Sequence, residues 1–412
     1  MNYSRLRTYG SKVTLARYWV TTFLAFSPWN CFAMEPNLAS LITERLSYMR
    51  DVAAYKWLHK LPITDIARER FVINAGVIAA LRHGITRTSS ERFYRSQIEA
   101  AKAVQRCWHE RWREEEEAPP STNLNQVIRP ILIELGDKIS GQLINAPPDT
   151  IEFNKLVQVE CLTSDAKQKI LESTKEIRFY SSRFDQIMDS KILRVGTTGD
   201  YAPFSLSSNG LDFSGIDIDL AHELARHLNA RVTFVQTSWP NLMSDFASGK
   251  FDIGMSGISI TEQRKQEALF SRPYHIGGKT PIALCTRVDS FQSVEDIDVP
   301  EIRVAVNPGG TNEIFVDNNL MQAKKVVLED NRGIFQYLVK GQADLMITDQ
   351  IEVDFQSALH PELCGLATRT TFTYQEKAYL IPPEQELLTA VNSWLKQAQQ
   401  SGTLRAVFDS KL

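Results

Sequence analysis

Residues 192–236 read ILRVGTTGDYAPFSLSSNGLDFSGIDIDLAHELARHLNARVTFVQ. Residues 192–196 and 231–235 have the apolar and β-branched composition of buried strands, and residues 217–228 between them carry an apolar stripe at helical spacing. The alternation continues with a helix at 242–247, strands at 251–255 and 303–307, a helix at 333–339 and a strand at 344–348. This order predicts an α/β fold whose sheet is parallel in large part.

The chain ahead of this region has a helical pattern. Apolar residues recur at three- and four-residue steps from residue 38, as in Leu38, Leu41, Ile42, Leu46 and Met49, and no alternating strand run appears before about residue 183. The change of pattern places a boundary near residues 181–190. We therefore expect an all-α domain at 34–182 and an α/β domain at 183–412, which suits a chain of 412 residues.

The first 33 residues have the layout of a secretory signal peptide. A basic lead is followed by an apolar run at 18–26 and by a small-x-small tripeptide that ends at Ala33, where we expect cleavage. An uncleaved anchor is the alternative, but Pro28 and Asn30 make the apolar core short for a membrane span. The prediction is an exported, periplasmic protein with no membrane contact after cleavage.

Composition narrows the classes further. A net charge of -3, from 46 Lys+Arg against 49 Asp+Glu, gives no support for a nucleic-acid binder that neutralises phosphates. Of the five cysteines, Cys31 leaves with the signal, and two remain in each domain of an oxidising compartment. We predict the pairs Cys285–Cys364 and Cys107–Cys161, with buried free thiols as the alternative. No cysteine or histidine spacing suggests zinc, and we predict no metal and no cofactor.

Six polar residues of the helical half have informative spacing. Arg45 and Lys56 are eleven residues apart, which is three turns, so both project from one face of a long first helix. After Pro62, Asp65 can cap a second helix with Arg68 in its first turn, and Gln105 and Arg129 follow on later helices. By composition alone, these are ordinary surface residues.

The segments that surround them resemble the secreted, all-helical chorismate mutases. The matching strings are ERL at 44–46, AAYKW at 53–57, LPI at 61–63, Asp65, Arg68-Glu69 and QIEAAKAVQ at 97–105. The resemblance implies that Arg45, Arg68 and Arg129 hold the substrate carboxylates and that Lys56 and Gln105 donate hydrogen bonds to the ether oxygen. Asp65 would accept the ring hydroxyl or cap the helix. Ala101 departs from the pattern, since some relatives have a hydroxyl residue there.

The α/β half resembles the periplasmic solute-binding proteins for polar amino acids. The matching strings are LRVGT at 193–197, GIDIDL at 215–220, GKFD at 249–252, TxxR at 261–264, FSxPY at 270–274 and GGT at 309–311, where x is any residue. The resemblance implies a two-lobed, type II binding-protein fold, with one lobe at 191–284 and 374–412 and the other at 285–373. It also implies that Arg264 and Thr311 bind a ligand carboxylate and that Asp349 meets an α-amino group.

More specific strings resemble the cyclohexadienyl dehydratases of this fold. They are TGDYxPF at 198–204, TSWPNLM at 237–243, MSGIS at 255–259, GKTPI at 278–282, NPGGTNE at 307–313, DLMxTDxIE at 344–352 and HPELC at 360–364. The resemblance implies that Glu352 is the acid that protonates the departing hydroxyl of prephenate. Carboxylates would be held by Arg264, Thr311, Lys279 and Ser256. Asn307, Asn312 and Trp239 would shape the site, and Asp200 would orient the ligand.

Together, the two resemblances predict an exported bifunctional enzyme that converts chorismate through prephenate to phenylpyruvate, with L-arogenate as a second candidate substrate. The product of the helical domain would be the substrate of the α/β domain. The alternative is a chorismate mutase fused to a non-catalytic solute-binding domain for a polar amino acid or a prephenate-like ligand. In that case Asp349 and Glu352 would only mark a solvated helix N-terminus. A homo-oligomer is left open.

Overall fold

The computed structural model describes residues 36–115, 120–368 and 370–412. The predicted signal peptide at 1–33 lies outside these ranges. Within them, no helix is both long enough and apolar enough to cross a membrane.

The helical half is built around one long helix. Its helices are α1 Leu38–Ser47, α2 Met49–Leu58, α3 Ile66–Leu81, α4 Arg87–Glu115, α5 Arg129–Gln142, α6 Thr150–Leu156 and α7 Ser164–Lys175. The long helix α4 packs against α2, α3 and α7, and a π-helical turn, Leu124–Ile128, leads directly into α5. The predicted long first helix is divided into α1 and α2 at Tyr48, whose φ of -65° and ψ of -10° keep the chain in right-handed helical conformation.

The segment at 181–190, where the change of pattern placed the boundary between the halves, contains the helix α8, Arg183–Ser190. Ser182 caps it by accepting a hydrogen bond from the Asp185 amide, and Ile187 is fully buried in the core of the α/β half. The Gln186 side chain donates to the Leu81 carbonyl at the end of α3, at 2.8 Å. The two halves are therefore joined by a packed helix.

The α/β half contains two five-stranded sheets. Its first strands are β1 Ile192–Thr197, β2 Asp200–Tyr201, β3 Ser205–Ser207, β4 Phe213–Ser214, β5 Arg231–Gln236, β6 Ile253–Gly254, β7 Leu269–Phe270 and β8 His275–Gly277. The remaining strands are β9 Lys279–Leu284, β10 Arg303–Val306, β11 Lys324–Val327, β12 Leu345–Asp349, β13 Leu363–Gly365, β14 Gln375–Lys377 and β15 Leu380–Ile381. The helices are α9 Ile216–His227, α10 Leu242–Ala247, α11 Glu262–Lys265, α12 Val294–Ile297, α13 Thr311–Asn319, α14 Ile334–Val339, α15 Gln350–Leu359, α16 Gln385–Gln400 and α17 Thr403–Asp409.

The two sheets have the orders β5-β1-β6-β15-β7 and β11-β10-β12-β9-β13. In each sheet, the first three strands are parallel to one another, and the fourth strand pairs antiparallel with both the third and the fifth. Each sheet is the framework of one lobe, and the antiparallel pair β8 and β14 lies where the chain crosses between them. The predicted two-lobed architecture is therefore confirmed.

The boundary between the lobes differs from our expectation in one strand. We placed β9 in the first lobe, but it pairs with β12 and β13 in the sheet of the second. The chain crosses earlier, at Gly278, where a Cβ atom would lie 1.8 Å from the Thr373 carbonyl oxygen of the returning segment. An apolar strand pattern does not indicate which of two sheets the strand joins, so the sequence alone could not place β9.

Both predicted disulfides are confirmed. Cys107–Cys161 joins α4 to the segment between α6 and α7, and Cys285–Cys364 joins the chain after β9 to β13. Each half therefore contains one crosslink of its own.

Two candidate active sites

The helical half encloses a cavity of about 160 Å³ between α1, α2, α3, α4 and α5. All six residues that the sequence singled out line it: Arg45, Lys56, Asp65, Arg68, Gln105 and Arg129. Helix geometry explains why α4 presents Ala101 and Gln105 together, since residues four apart lie on one face. The structure thus brings one complete set of predicted residues to one place.

The cavity is rich in cations. Burial lowers the pKa of Arg45 and of Lys56, while burial and the neighbouring Arg129 lower that of Arg68. Arg45 donates to the Leu132 carbonyl and Lys56 Nζ to the Ile63 carbonyl, each at 2.7 Å, so neutral groups fix both side chains. These four cations form no ion pair with a carboxylate in the described ranges, which leaves their charge available for an anionic ligand.

Two of the predicted roles gain detail from the hydrogen bonds. Asp65 is exposed and accepts from the Arg68 amide at 3.0 Å, which is the geometry of a helix cap. Gln105 is buried, and its Nε2 donates to the Ala101 carbonyl at 3.1 Å. Nε2 also donates to Met49 Sδ at 3.8 Å, and since a thioether sulfur is a weak acceptor, a ligand oxygen in the cavity can replace it.

Sequence reasoning missed a charged pair in the same cavity. Lys102 Nζ lies 3.3 Å from Glu69 Oε2 and 2.7 Å from Glu99 Oε1, and Glu69 Oε1 is buried with no hydrogen-bond partner among the described residues. The available signal was helical spacing, because Lys102 lies three residues before Gln105 on α4. Of these three groups only Lys102 and Glu69 line the cavity, and their opposite charges offset each other, so the four other cations still dominate it.

A second, smaller cavity of about 20 Å³ lies between the two lobes. Both lobes supply predicted residues to its lining: Trp239, Arg264, Asn307, Thr311, Asn312 and Asp349. Four lining residues that we had not singled out as functional are Tyr201, Ser259, Asn331 and Lys377. The cleft therefore lies where a two-lobed binding fold holds its ligand.

Arg264 is available for a ligand carboxylate. Its side chain is buried, donates to the Ser259 carbonyl at 2.9 Å and has its guanidinium carbon 6.0 Å from the centre of the Trp239 ring. Burial lowers its pKa to about 10, and no carboxylate of the described residues pairs with it. A buried guanidinium without a counterion favours an anionic ligand.

Asp349 is held by two lysines. Lys279 Nζ lies 2.9 Å from Oδ1, Lys377 Nζ lies 2.5 Å from Oδ2, and the Tyr201 hydroxyl donates to Oδ2 as well. Burial alone would raise the pKa of Asp349, but the two ammonium groups hold it well below its usual value. Both carboxylate oxygens are thus already paired in the cleft. Burial lowers the pKa of Lys377 to about 8.

Glu352 is a buried carboxylic acid one turn along α15 from Asp349. It is 1% exposed, and its pKa is raised to about 8, chiefly by burial and further by the charge of Asp349. The Thr348 hydroxyl donates to Oε2 at 2.5 Å and itself accepts from Asn312 Nδ2 at 3.1 Å. The hydrogen bond from Thr348 engages Oε2 and leaves Oε1 to carry the proton. With a pKa of about 8, Glu352 is mostly protonated near pH 7.

Like Glu352, three other predicted residues lie around the cleft rather than in its lining. Lys279 is fully buried and contacts Asp349 and Asn312. Asp200, whose pKa is raised by burial, accepts from Trp239 Nε1 at 3.1 Å. Ser256 is fully buried, and its oxygen accepts from the Thr198 amide at 3.1 Å. These side chains position their neighbours, and the geometry of Ser256 gives no support for the carboxylate contact that we expected.

Comparison with known proteins divides the chain in the same way. The family model for bacterial extracellular solute-binding proteins, family 3, matches residues 193–410, and the model for chorismate mutase type II matches residues 34–106. The cyclohexadienyl dehydratase of Pseudomonas aeruginosa is 48% identical over 254 residues, which is 61% of this chain and 92% of that protein. The L-cystine-binding protein of Escherichia coli is 25% identical over 226 residues, which is 54% of this chain and 83% of that protein.

The α/β half is also similar to a solved structure. The crystal structure of an ancestral amino acid-binding protein, described as a precursor of cyclohexadienyl dehydratase, is 37% identical, with a TM-score of 0.52. The match covers 56% of this chain and 99% of that one. Since the solute-binding model spans more than half of the sequence, this chain belongs to the bacterial extracellular solute-binding proteins of family 3, with a chorismate mutase type II domain ahead of that region.

Proposed function

We propose that this chain is a bifunctional enzyme of phenylalanine biosynthesis. Its helical half rearranges chorismate to prephenate, and its α/β half converts prephenate to phenylpyruvate. The observation that carries the proposal is Glu352, a buried acid with a pKa of about 8 beside a cleft whose other charges suit a dianion. The 48% identity to a cyclohexadienyl dehydratase supports the second activity, and the chorismate mutase model supports the first.

The mutase step needs only positioning and charge. The rearrangement of chorismate is pericyclic, so no proton is transferred and no covalent intermediate forms. Arg45, Arg68 and Arg129 bind the two carboxylates and hold the compact conformer in which the reacting carbons meet. Lys56 and Gln105 donate to the ether oxygen, on which negative charge builds as its bond breaks.

The dehydratase step needs an acid. The bond between the ring and its carboxylate breaks to release carbon dioxide, and its electron pair forms the last double bond of the aromatic ring. The bond between the ring and its hydroxyl oxygen breaks at the same time, and that oxygen takes the proton of Glu352 and leaves as water. Glu352 then recovers a proton from solvent, so each turnover consumes one proton. Arg264 and Thr311 bind the carboxylate of the pyruvyl side chain.

The receptor alternative is less well supported by the geometry of the cleft. A receptor for an α-amino acid needs a carboxylate that is free to meet the ammonium group. Asp349 is placed for that contact, but Lys279 and Lys377 already pair with its two oxygens. A buried neutral acid at Glu352 also has no use in a receptor, which binds and releases its ligand unchanged.

We further infer that the protein is exported to the periplasm. The basic and apolar pattern of residues 1–33 supports this inference. Two disulfides suit an oxidising compartment, and the family of the α/β half is extracellular.

Activity with prephenate should fall at high pH. The reaction needs the protonated form of Glu352, whose pKa is about 8. We expect kcat/KM for prephenate to be level below that pH and to fall about tenfold per pH unit above it. Initial rates measured between about pH 6 and about pH 10 test this. A profile that stays level or rises to the alkaline end would mean that another group is the acid.

The purified protein tests the proposal directly when it is given prephenate alone. We expect phenylpyruvate, measured by its absorbance in alkali, with one carbon dioxide released per prephenate consumed. The same assay with L-arogenate, read out as phenylalanine, measures the second candidate substrate. Tight binding of aspartate, glutamate or glutamine with no turnover of prephenate would instead identify a receptor.

A further inference from the structure

Asn331 is a buried polar residue of the cleft that has no role in the steps above. It lies in the 3-10 turn Asn331–Gly333 of the second lobe, is 3% exposed and lines the cavity between the lobes. Its Nδ2 donates to the Asp200 carbonyl of the first lobe at 2.8 Å. Because a carbonyl oxygen only accepts hydrogen bonds, this contact fixes which end of the amide faces Asp200.

The other end of the amide is unsatisfied. Asn331 Oδ1 is buried, and no residue in the described part of the chain donates a hydrogen bond to it. Leaving a buried acceptor unpaired is unfavourable, so such an atom in a binding cleft favours a ligand that brings a donor.

The same turn connects the two lobes a second time. Arg332 donates from its guanidinium to the Ser207 carbonyl of the first lobe at 3.0 Å. Nearby, Gly309 of the second lobe approaches Pro240 of the first so closely that a Cβ atom would lie 2.6 Å from the proline nitrogen. The lobes are therefore in contact around the cleft, and Asn331 belongs to that contact.

The chemistry of prephenate identifies the group that Oδ1 would meet. At neutral pH, the two carboxylates and the keto group only accept hydrogen bonds, so the ring hydroxyl is the single donor of the molecule. We propose that Asn331 Oδ1 accepts the hydrogen bond of the prephenate ring hydroxyl while its Nδ2 holds the lobes together. This inference rests on the proposed dehydratase function.

One side chain then couples closure of the cleft to alignment of the leaving group. The ring hydroxyl donates its own hydrogen to Asn331, so a lone pair of its oxygen remains free to receive the proton of Glu352. When the bond from the ring to this oxygen breaks, the departing water keeps its hydrogen bond to Asn331. A contact that points the lone pair towards the acid acts on the chemical step as well as on binding.

The test compares Asn331→Ala with Arg332→Ala, which removes a contact between the same lobes that does not reach the cavity lining. For Asn331→Ala we expect kcat with prephenate to fall about tenfold or more, and for Arg332→Ala we expect kcat within about twofold of wild type with a raised KM. Phenylpyruvate, the product, has lost the ring hydroxyl. The inhibition constant of phenylpyruvate should therefore change no more in Asn331→Ala than in Arg332→Ala. Inhibition by phenylpyruvate also shows that the cleft of the variant is folded.

Two results would overturn the inference. One is a wild-type kcat in Asn331→Ala, with only the rise in KM that Arg332→Ala also shows, since Asn331 would then only hold the lobes together. The other is an equal loss of affinity for prephenate and phenylpyruvate specific to Asn331→Ala, since the contact would then involve a group that both molecules share. Failure of the proposed function itself is distinguishable, because the wild-type protein in the same assay would then not dehydrate prephenate.

Discussion

Glu352→Gln is expected to lower the rate of prephenate dehydration by about a thousandfold, in the range that general acids contribute. The amide has nearly the shape of the carboxylic acid, and its oxygen can still accept the hydrogen bond that Thr348 donates. It cannot transfer a proton to the departing hydroxyl, so the poor leaving group must leave unassisted. Initial rates of phenylpyruvate formation from prephenate measure the effect.

The same chain supplies the controls for this variant. The chorismate mutase rate should stay at its wild-type value, because the two cavities share no lining residue. Glu362→Gln, on the exposed segment before β13, makes the same chemical change on the surface of the same lobe and should leave both activities unchanged. Dehydration by Glu352→Gln at close to the wild-type rate would show that another residue is the acid.

Lys56→Ala is expected to lower the mutase rate by roughly a hundred- to a thousandfold, the loss typical when a donor to a developing oxyanion is removed. Lys56 lines the helical cavity, and burial lowers its pKa, so its charge interacts with the ether oxygen in a poorly hydrated site. Loss of chorismate in the absence of added prephenate measures this rate.

Lys155→Ala is the matched control for Lys56. It removes an exposed lysine of α6 in the same half, outside the cavity lining, and should leave the mutase rate unchanged. Both variants should dehydrate added prephenate at the wild-type rate, which shows that the α/β half is folded, and their helical circular dichroism should match that of the wild-type protein. Near-normal conversion of chorismate by Lys56→Ala would refute its role.

Much of the helical site could be predicted from the sequence because residues close together along the chain form it. Arg45 and Lys56 share a face through the helical period, and Asp65 and Arg68 share one cap. The resemblance then named the chemistry, and six residues from five helices line one cavity. Lys102 was missed because a lysine on an amphipathic helix is usually solvated, and only the fold shows that this one faces the cavity.

The cleft was harder to predict because its side chains are positioned by contacts between segments that are far apart in the sequence. Lys377 meets Asp349 only because β14 crosses between the lobes beside β8, and no spacing along the chain signals that pairing. The orientation of the Asn331 amide is likewise set by a hydrogen bond to the Asp200 carbonyl of the other lobe, which the sequence does not indicate. Ser256 lies in a matching string, but its oxygen accepts from the Thr198 amide, and its contact with a substrate carboxylate stays a prediction. Position in a motif does not determine what a buried hydroxyl contacts.

Whether one chain carries out both reactions is tested most directly by giving the purified protein chorismate as its only substrate. Chorismate, prephenate and phenylpyruvate are then measured together over time. We expect every chorismate consumed to appear as phenylpyruvate. We also expect Glu352→Gln to stop at prephenate and Lys56→Ala to consume chorismate very slowly while still converting added prephenate. Accumulation of prephenate by the wild-type protein, without phenylpyruvate, would contradict the proposed dehydratase activity.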